Sequence, residues 1–221
     1  VGSFREESYQ RYGKLYYYTA GLSIVFALAL AFNKALPVFL FLFFLFLAGL
    51  IYNMITFPKK WNFKSFKDLP GSKNISMSVA WGIVTAILPA LDKDYSFNAG
   101  LTVAFIFSFG IVFIRSAMSD ILEIQSDKLI GQETIPVFFG RKRTITILKI
   151  ISLILLAVLL VSSPLAWTSS LSLLLTICIL YIWICFRFCD KKPVLSGAVK
   201  EGLLETSYIM AGFCVLLWLI F

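Results

Sequence analysis

Three carboxylates share one face of a predicted helix, in the stretch "IRSAMSDILEIQSDK". At about 100° per residue, Glu123 lies about 60° and Asp127 about 20° around the helix axis from Asp120. Glu123 and Asp127 form an i,i+4 like-charge pair, which destabilises a helix by roughly 0.2–0.5 kcal/mol. Carboxylates near the end of a helix also oppose its dipole. Such departures from the usual helix preferences are typical of functional sites. A bound divalent cation would offset the repulsion between these carboxylates.

The composition restricts the kind of metal site. The chain contains no histidine, which excludes imidazole ligands and nucleophiles activated by histidine. Carboxylate oxygens suit Mg²⁺ or Mn²⁺, and Mg²⁺ completes its coordination with water and phosphate oxygens. We therefore predict that Asp120, Glu123 and Asp127 hold Mg²⁺, with Mn²⁺ possible. A solvated helix end with loose ion pairs to Lys128 or to the basic loops is the alternative.

Cations near this helix favour a phosphate ligand. Arg115 follows an apolar run, where an ionisable side chain is costly and usually faces a cavity or a partner. Residues 58–74 contain five lysines, and lysine binds phosphate as a compact point charge. We predict that Arg115, Lys59, Lys60 and Lys73 contact a diphosphate. Anchoring to anionic lipid would explain the same lysines and is compatible with that role.

The composition indicates a membrane protein. Hydrophobic residues make up 59% of the 221 residues and charged residues 14%, whereas soluble domains carry about 25% charged residues. Seven apolar segments are each near the ~20 residues that span a bilayer as a helix. They predict an all-α, multi-pass bundle forming one domain over 1–221, with spans at 15–32, 36–57, 75–91, 97–118, 144–166, 168–188 and 202–221.

The distribution of basic residues predicts the orientation. Alternate loops carry 16 lysines and arginines on one side and 2 on the other, and the richer side is normally cytoplasmic. The long polar connections 58–74 and 119–143 fall on that side. We therefore expect a cytoplasmic active site and a C-terminus on the opposite face. Because the chain opens with Val1 and a polar stretch, we also expect an N-terminally incomplete protein.

A longer stretch, "RSAMSDILEIQSDKLIGQETIPVFFG", resembles the second aspartate-rich motif of the UbiA superfamily of intramembrane prenyltransferases. That motif reads approximately as Arg, then D-x-x-D-x-x-x-D, then Gly, T-[LI]-P-V and Gly. Glu123 stands at its middle acidic place. The tail is matched by Gly131, Thr134, Pro136 and Gly140. We expect Gly131 to end the helix and Pro136 to prevent its resumption.

The resemblance implies a nine-helix fold around a central cavity, with the seven spans corresponding to helices 3–9. The family's first motif, N-x-x-x-D-x-x-x-D on the second helix, has no counterpart here. The two missing helices would leave one half of a two-motif metal site.

The resemblance also implies Mg²⁺-dependent transfer of an isoprenyl chain from a prenyl diphosphate to a lipophilic or aromatic acceptor. Asp120 and Asp127 would then be catalytic, metal-bridging carboxylates, and Glu123 a third ligand. Tyr52 and Asn74 would lie at the cavity mouth. The expected partners are these two substrates and membrane lipid, and we expect no nucleic acid.

Three other classes of membrane protein are alternatives to a prenyltransferase. A transporter with an acidic cation site on its cytoplasmic side is the main alternative, although the acids cluster at one interface and not near the midplane. A retinal protein needs a lysine in its last helix, and 202–221 contains none. A CDP-alcohol phosphotransferase needs a D-G-x-x-A-R signature, which is absent.

Overall fold

The computed structural model describes residues 4–54, 69–91, 97–190 and 197–220, and within these ranges the regular structure is helical. A π-helical turn, Ile83–Ile87, joins α3 to α4, so that Ser72–Leu91 forms one continuous span. The helices are α1 (Phe4–Lys34), α2 (Leu36–Met54), α3 (Ser72–Gly82), α4 (Leu88–Leu91), α5 (Ala99–Ile130), α6 (Ile135–Phe139), α7 (Arg141–Ser162), α8 (Leu171–Asp190) and α9 (Gly197–Ile220).

Six helical spans in the described ranges are long and apolar enough to cross a membrane. This confirms the prediction of an all-α, multi-pass membrane bundle. The seventh predicted span, 36–57, corresponds to α2, whose described apolar part, Leu36–Tyr52, is shorter than the other six. The predicted span 75–91, the shortest of the seven, belongs instead to the 20-residue helix Ser72–Leu91.

The longest helix, α5, occupies the centre of the bundle and contacts α3, α6, α7 and α9. Its start is capped by Asn98, whose side chain accepts a hydrogen bond of 2.8 Å from the Leu101 amide. Ile114 and Met118 of α5 are almost fully buried and belong to one core with Leu148 of α7. This packing on several sides fixes the helix that carries the three carboxylates.

The end of α5 was predicted correctly, but the segment after it was not. Gly131 has φ 75°, a left-handed conformation suited to glycine, and it ends the helix. The amides of Gly131 and Gln132 both donate to the Asp127 carbonyl. The expectation that Pro136 prevents a helix was wrong. Pro136 lies in the first turn of α6, where its missing N–H costs nothing.

Candidate functional site

Asp120 is buried between α5 and α3, with 3% of its surface exposed. The Asn74 amide nitrogen donates to Asp120 Oδ2 at 2.8 Å, and the Ser116 hydroxyl donates to Asn74 Oδ1 at 3.2 Å. Asn74, which we expected at the cavity mouth, is 1% exposed. It lies against the Asp120 carboxylate. Because its amide oxygen accepts from Ser116, its amide nitrogen points at Asp120. The two bonds together fix the orientation of the carboxylate.

A cation lies at the edge of this buried network. Lys73 Nζ is 3.8 Å from Asp120 Oδ1, and the lysine side chain is 63% exposed. A pair of this kind is weak by itself, on the order of 1 kcal/mol or less. The lysine therefore adds little to the fixing of Asp120, and its ammonium is accessible to another anion.

The start of α3 is held by its neighbours. Tyr52 of α2 and Ser72 share a hydrogen bond of 3.1 Å between their hydroxyls. Gly71 has φ 79°, and a Cβ at this position would lie 2.8 Å from Ile135 Cγ1 of α6. Glycine is therefore required here, both for the backbone conformation and for the close approach of α3 to α6.

Asp127 lies two turns further along α5, about 10.5 Å from Asp120 along the axis. It is 7% exposed, and the Thr134 hydroxyl donates to its Oδ2 at 3.1 Å. Glu123, between the two aspartates, is exposed. The predicted stripe thus consists of two buried acids and one exposed acid. Among the described residues no three His, Cys, Asp or Glu side chains converge on one metal position.

These residues fit Mg²⁺ that is coordinated jointly by protein and phosphate, and not a dedicated metal cage formed by the protein alone. Asp120 and Asp127 are hard oxygen ligands, each already oriented by a hydrogen bond at Oδ2. Mg²⁺ commonly takes one or two protein carboxylates and completes its coordination with water and substrate phosphate. The donor set therefore suits an ion that arrives with a phosphate ligand.

Arg115 lies on another face of α5, about 140° around the axis from Asp120. Its Nη2 forms an ion pair with Glu205 Oε1 of α9. The structure therefore places Arg115 at the α5–α9 contact, and its predicted contact with a diphosphate stays a prediction. Lys59 and Lys60 lie outside the described residues.

Ser116, Thr134 and Glu205 were not predicted to be site residues. Ser116 precedes Asp120 by four residues, and this spacing places two side chains on one helical face. Thr134 was noted as part of the motif tail. Glu205 lies within the apolar segment 202–221, where a carboxylate normally has a partner. All three residues could therefore have been found from spacing and local polarity.

The chain was compared with known proteins. It matches the UbiA prenyltransferase family over residues 12–220. Comparisons with curated proteins and with solved structures give no match. The family match extends over nearly the whole chain, including every helix that contributes to the site, and it confirms the resemblance to the UbiA superfamily. The chain therefore belongs to the UbiA prenyltransferase family and is an integral membrane protein of prenyltransferase type.

Proposed function

We propose that this protein transfers an isoprenyl chain from a prenyl diphosphate to an acceptor within the membrane, with Mg²⁺ as cofactor. The acceptor we propose is lipophilic and aromatic. The observation that carries the proposal is the buried Asp120, oriented by Asn74 and flanked by the exposed Lys73. The carboxylate suits the cation of a cation–diphosphate complex, and the exposed ammonium beside it suits the diphosphate.

The aspartates would bind the complex at two points. Because Asp120 and Asp127 are about 10.5 Å apart along α5, we propose that each holds a separate cation–phosphate contact, with the diphosphate between them. Glu123 is exposed and would act as the third, outer acid. When bound, Mg²⁺ offsets the negative charge that develops on the departing pyrophosphate, and Mn²⁺ could substitute for it.

Lys73 would neutralise the diphosphate together with Lys59 and Lys60. Its ammonium can leave Asp120 at little cost, because the two charged atoms are 3.8 Å apart and the lysine side chain is solvent-exposed. The apolar core around α5 would exclude water that otherwise reacts with an allylic cation. We place the site on the cytoplasmic face because the basic loops lie on that side.

The decisive experiment measures pyrophosphate release by the protein in nanodiscs with Mg²⁺, a prenyl diphosphate and an aromatic acceptor. Asp120→Asn and Asp127→Asn should each reduce turnover and raise the Mg²⁺ concentration needed for half-maximal rate. Glu133→Gln, at an exposed position in the same connection, is the matched control and should change neither. Unchanged turnover of both aspartate variants at limiting Mg²⁺ would refute the proposal.

The same assay separates the enzyme from the carrier that the sequence left as an alternative. A carrier would accumulate substrate in sealed vesicles without releasing pyrophosphate. Membership of a prenyltransferase family does not favour that alternative.

A further inference from the structure

A lysine interrupts the apolar run of α7. Lys149 lies eight residues after Arg141, about 12 Å along the helix axis. Positive residues at the start of α7 are explained by membrane orientation, but that explanation does not require a cation this far inside the span. Lys149 is exposed, and a charged side chain on the outside of a transmembrane helix is costly without a partner.

Lys149 lines a groove between α7 and α8 with a volume of about 620 Å³. This volume lies within the range of about 300–1,000 Å³ that is usual for small-molecule sites. The lining residues that the structure describes all belong to α7 and α8, so the groove is distinct from the carboxylate site. They are Thr146, Lys149, Ile150, Leu153, Trp183, Ile184, Phe186 and Arg187.

The groove has a basic part and an apolar part. Lys149 and Arg187 supply two cations, and none of the described lining residues is acidic. Lys142 lies about 20° around α7 from Lys149 and extends the positive stripe to the helix start. Ile150, Leu153 and Ile184 are half-exposed hydrocarbon side chains on the outside of the helix pair.

We propose that this groove binds an anionic phospholipid of the surrounding bilayer. Its phosphate would contact Lys149 and Arg187, and an acyl chain would lie on the apolar part. Basic grooves between transmembrane helices bind anionic lipid headgroups because their cations attract the phosphate. The apolar part faces the position that bilayer lipid occupies, which favours a membrane phospholipid over a soluble phosphate compound.

The structure provides a local reporter of this site. Trp183 lines the groove, and its indole N–H donates to Ser152 Oγ of α7 at 2.9 Å. This bond holds the indole at the α7–α8 contact. Brominated acyl chains quench tryptophan fluorescence at short range, so the difference between the wild type and Trp183→Phe reports lipid in the groove.

The experiment titrates brominated phosphatidylglycerol or brominated phosphatidylcholine into phosphatidylcholine vesicles that contain the protein. We expect Trp183 to be quenched at a lower mole fraction of phosphatidylglycerol. Lys149→Gln/Arg187→Gln should reduce this preference about 30-fold, because two cations near the membrane surface are removed. Arg143→Gln/Lys200→Gln removes the same charge outside the groove and should preserve the preference.

Three results would overturn the proposal. The first is equal quenching by the two lipids, and the second is an equal loss in the groove variant and in the control variant. The third is displacement of the brominated lipid, seen as recovery of Trp183 fluorescence, by geranylgeranyl diphosphate at a lower concentration than by unbrominated phosphatidylglycerol. That result would assign the groove to a prenyl substrate. Should the double variant not fold, Lys149→Gln alone should reduce the preference about five-fold, and no reduction would count against the site.

Discussion

Replacement of Asn74 by alanine tests whether the hydrogen bonds between α3 and α5 serve the proposed Mg²⁺ site. The change removes the 2.8 Å bond to Asp120 Oδ2 and leaves the Ser116 hydroxyl without the Asn74 acceptor. Asp120 would retain its exposed neighbour Lys73 at 3.8 Å, which contributes on the order of 1 kcal/mol or less. The lysine therefore cannot replace the amide in orienting the carboxylate.

The size of the effect follows from the burial of both partners. Asn74 is 1% and Asp120 3% exposed, so bulk water does not compete with the bond between them. A hydrogen bond to a charged group contributes about 1.5–3 kcal/mol, which corresponds to a factor of about 10–150. Residues that orient metal ligands typically change metal affinity or activity by about 10–100-fold when they are replaced. We expect Asn74→Ala to lower kcat/KM at limiting Mg²⁺ by a factor in this range.

Two serines provide a matched pair of variants. Ser116→Ala removes a neutral bond of 3.2 Å that holds the Asn74 amide, and it should lower kcat/KM by about 2–10-fold. Ser78→Ala removes a bond of 2.6 Å to the Asn74 backbone carbonyl. Both serines are buried, but only the first acts on the side chain that contacts Asp120. Ser78→Ala should therefore change thermal stability without changing the dependence on Mg²⁺.

The assay is pyrophosphate release in nanodiscs over a titration of Mg²⁺, with Tm measured in parallel. The reasoning is refuted if Asn74→Ala lowers Tm but keeps the Mg²⁺ dependence of the wild type. It is also refuted if Ser78→Ala and Ser116→Ala shift that dependence equally, because the network would then be purely structural.

Three further predictions concern other parts of the structure. Thr134→Val removes the 3.1 Å bond to its carboxylate partner on α5 and should raise the Mg²⁺ concentration for half-maximal rate by about 10–150-fold, whereas Thr134→Ser should not. Gly140→Ala should lower Tm more than Gly131→Ala, because both sites have space for a Cβ but Gly140, at φ 82° and ψ 152°, occupies a region that is essentially restricted to glycine. Arg115→Gln and Glu205→Gln should lower Tm by similar, non-additive amounts, and a higher KM for prenyl diphosphate in the arginine variant alone would establish a phosphate contact.

Much of the fold could be predicted because membrane helices have a simple requirement. A run of about 20 apolar residues is long enough to cross the hydrocarbon region as a helix, and an open strand in lipid would leave its backbone groups unsatisfied. The end of α5 was equally predictable, since Gly131 has the left-handed conformation that stops a helix. Pro136 was misjudged because proline breaks a helix interior and is tolerated in a first turn.

The site could be predicted only in part, because local spacing does not specify contacts between distant segments. The spacing of Asp120 and Asp127 placed both on one face of α5, and both are buried. The contact between Asn74 and Asp120 joins residues 46 positions apart, and no periodicity in either helix encodes it. The pairing of Glu205 with Arg115 could not be predicted for the same reason, since the two residues lie 90 positions apart.

The position of Arg115 relative to Asp120 follows from helical geometry. A five-residue separation rotates a side chain by about 140°, so Arg115 and Asp120 lie on different faces of α5. A cation inside the bundle on the opposite face needs its own anion, and Glu205 is that anion. Asp120, by contrast, has a neutral amide at 2.8 Å and an exposed ammonium at 3.8 Å. A buried carboxylate is costly unless it is well paired. Arg115 has a close counter-ion in Glu205, whereas the cation nearest to Asp120 is the exposed Lys73. We therefore expect a ligand to supply a further cation at Asp120.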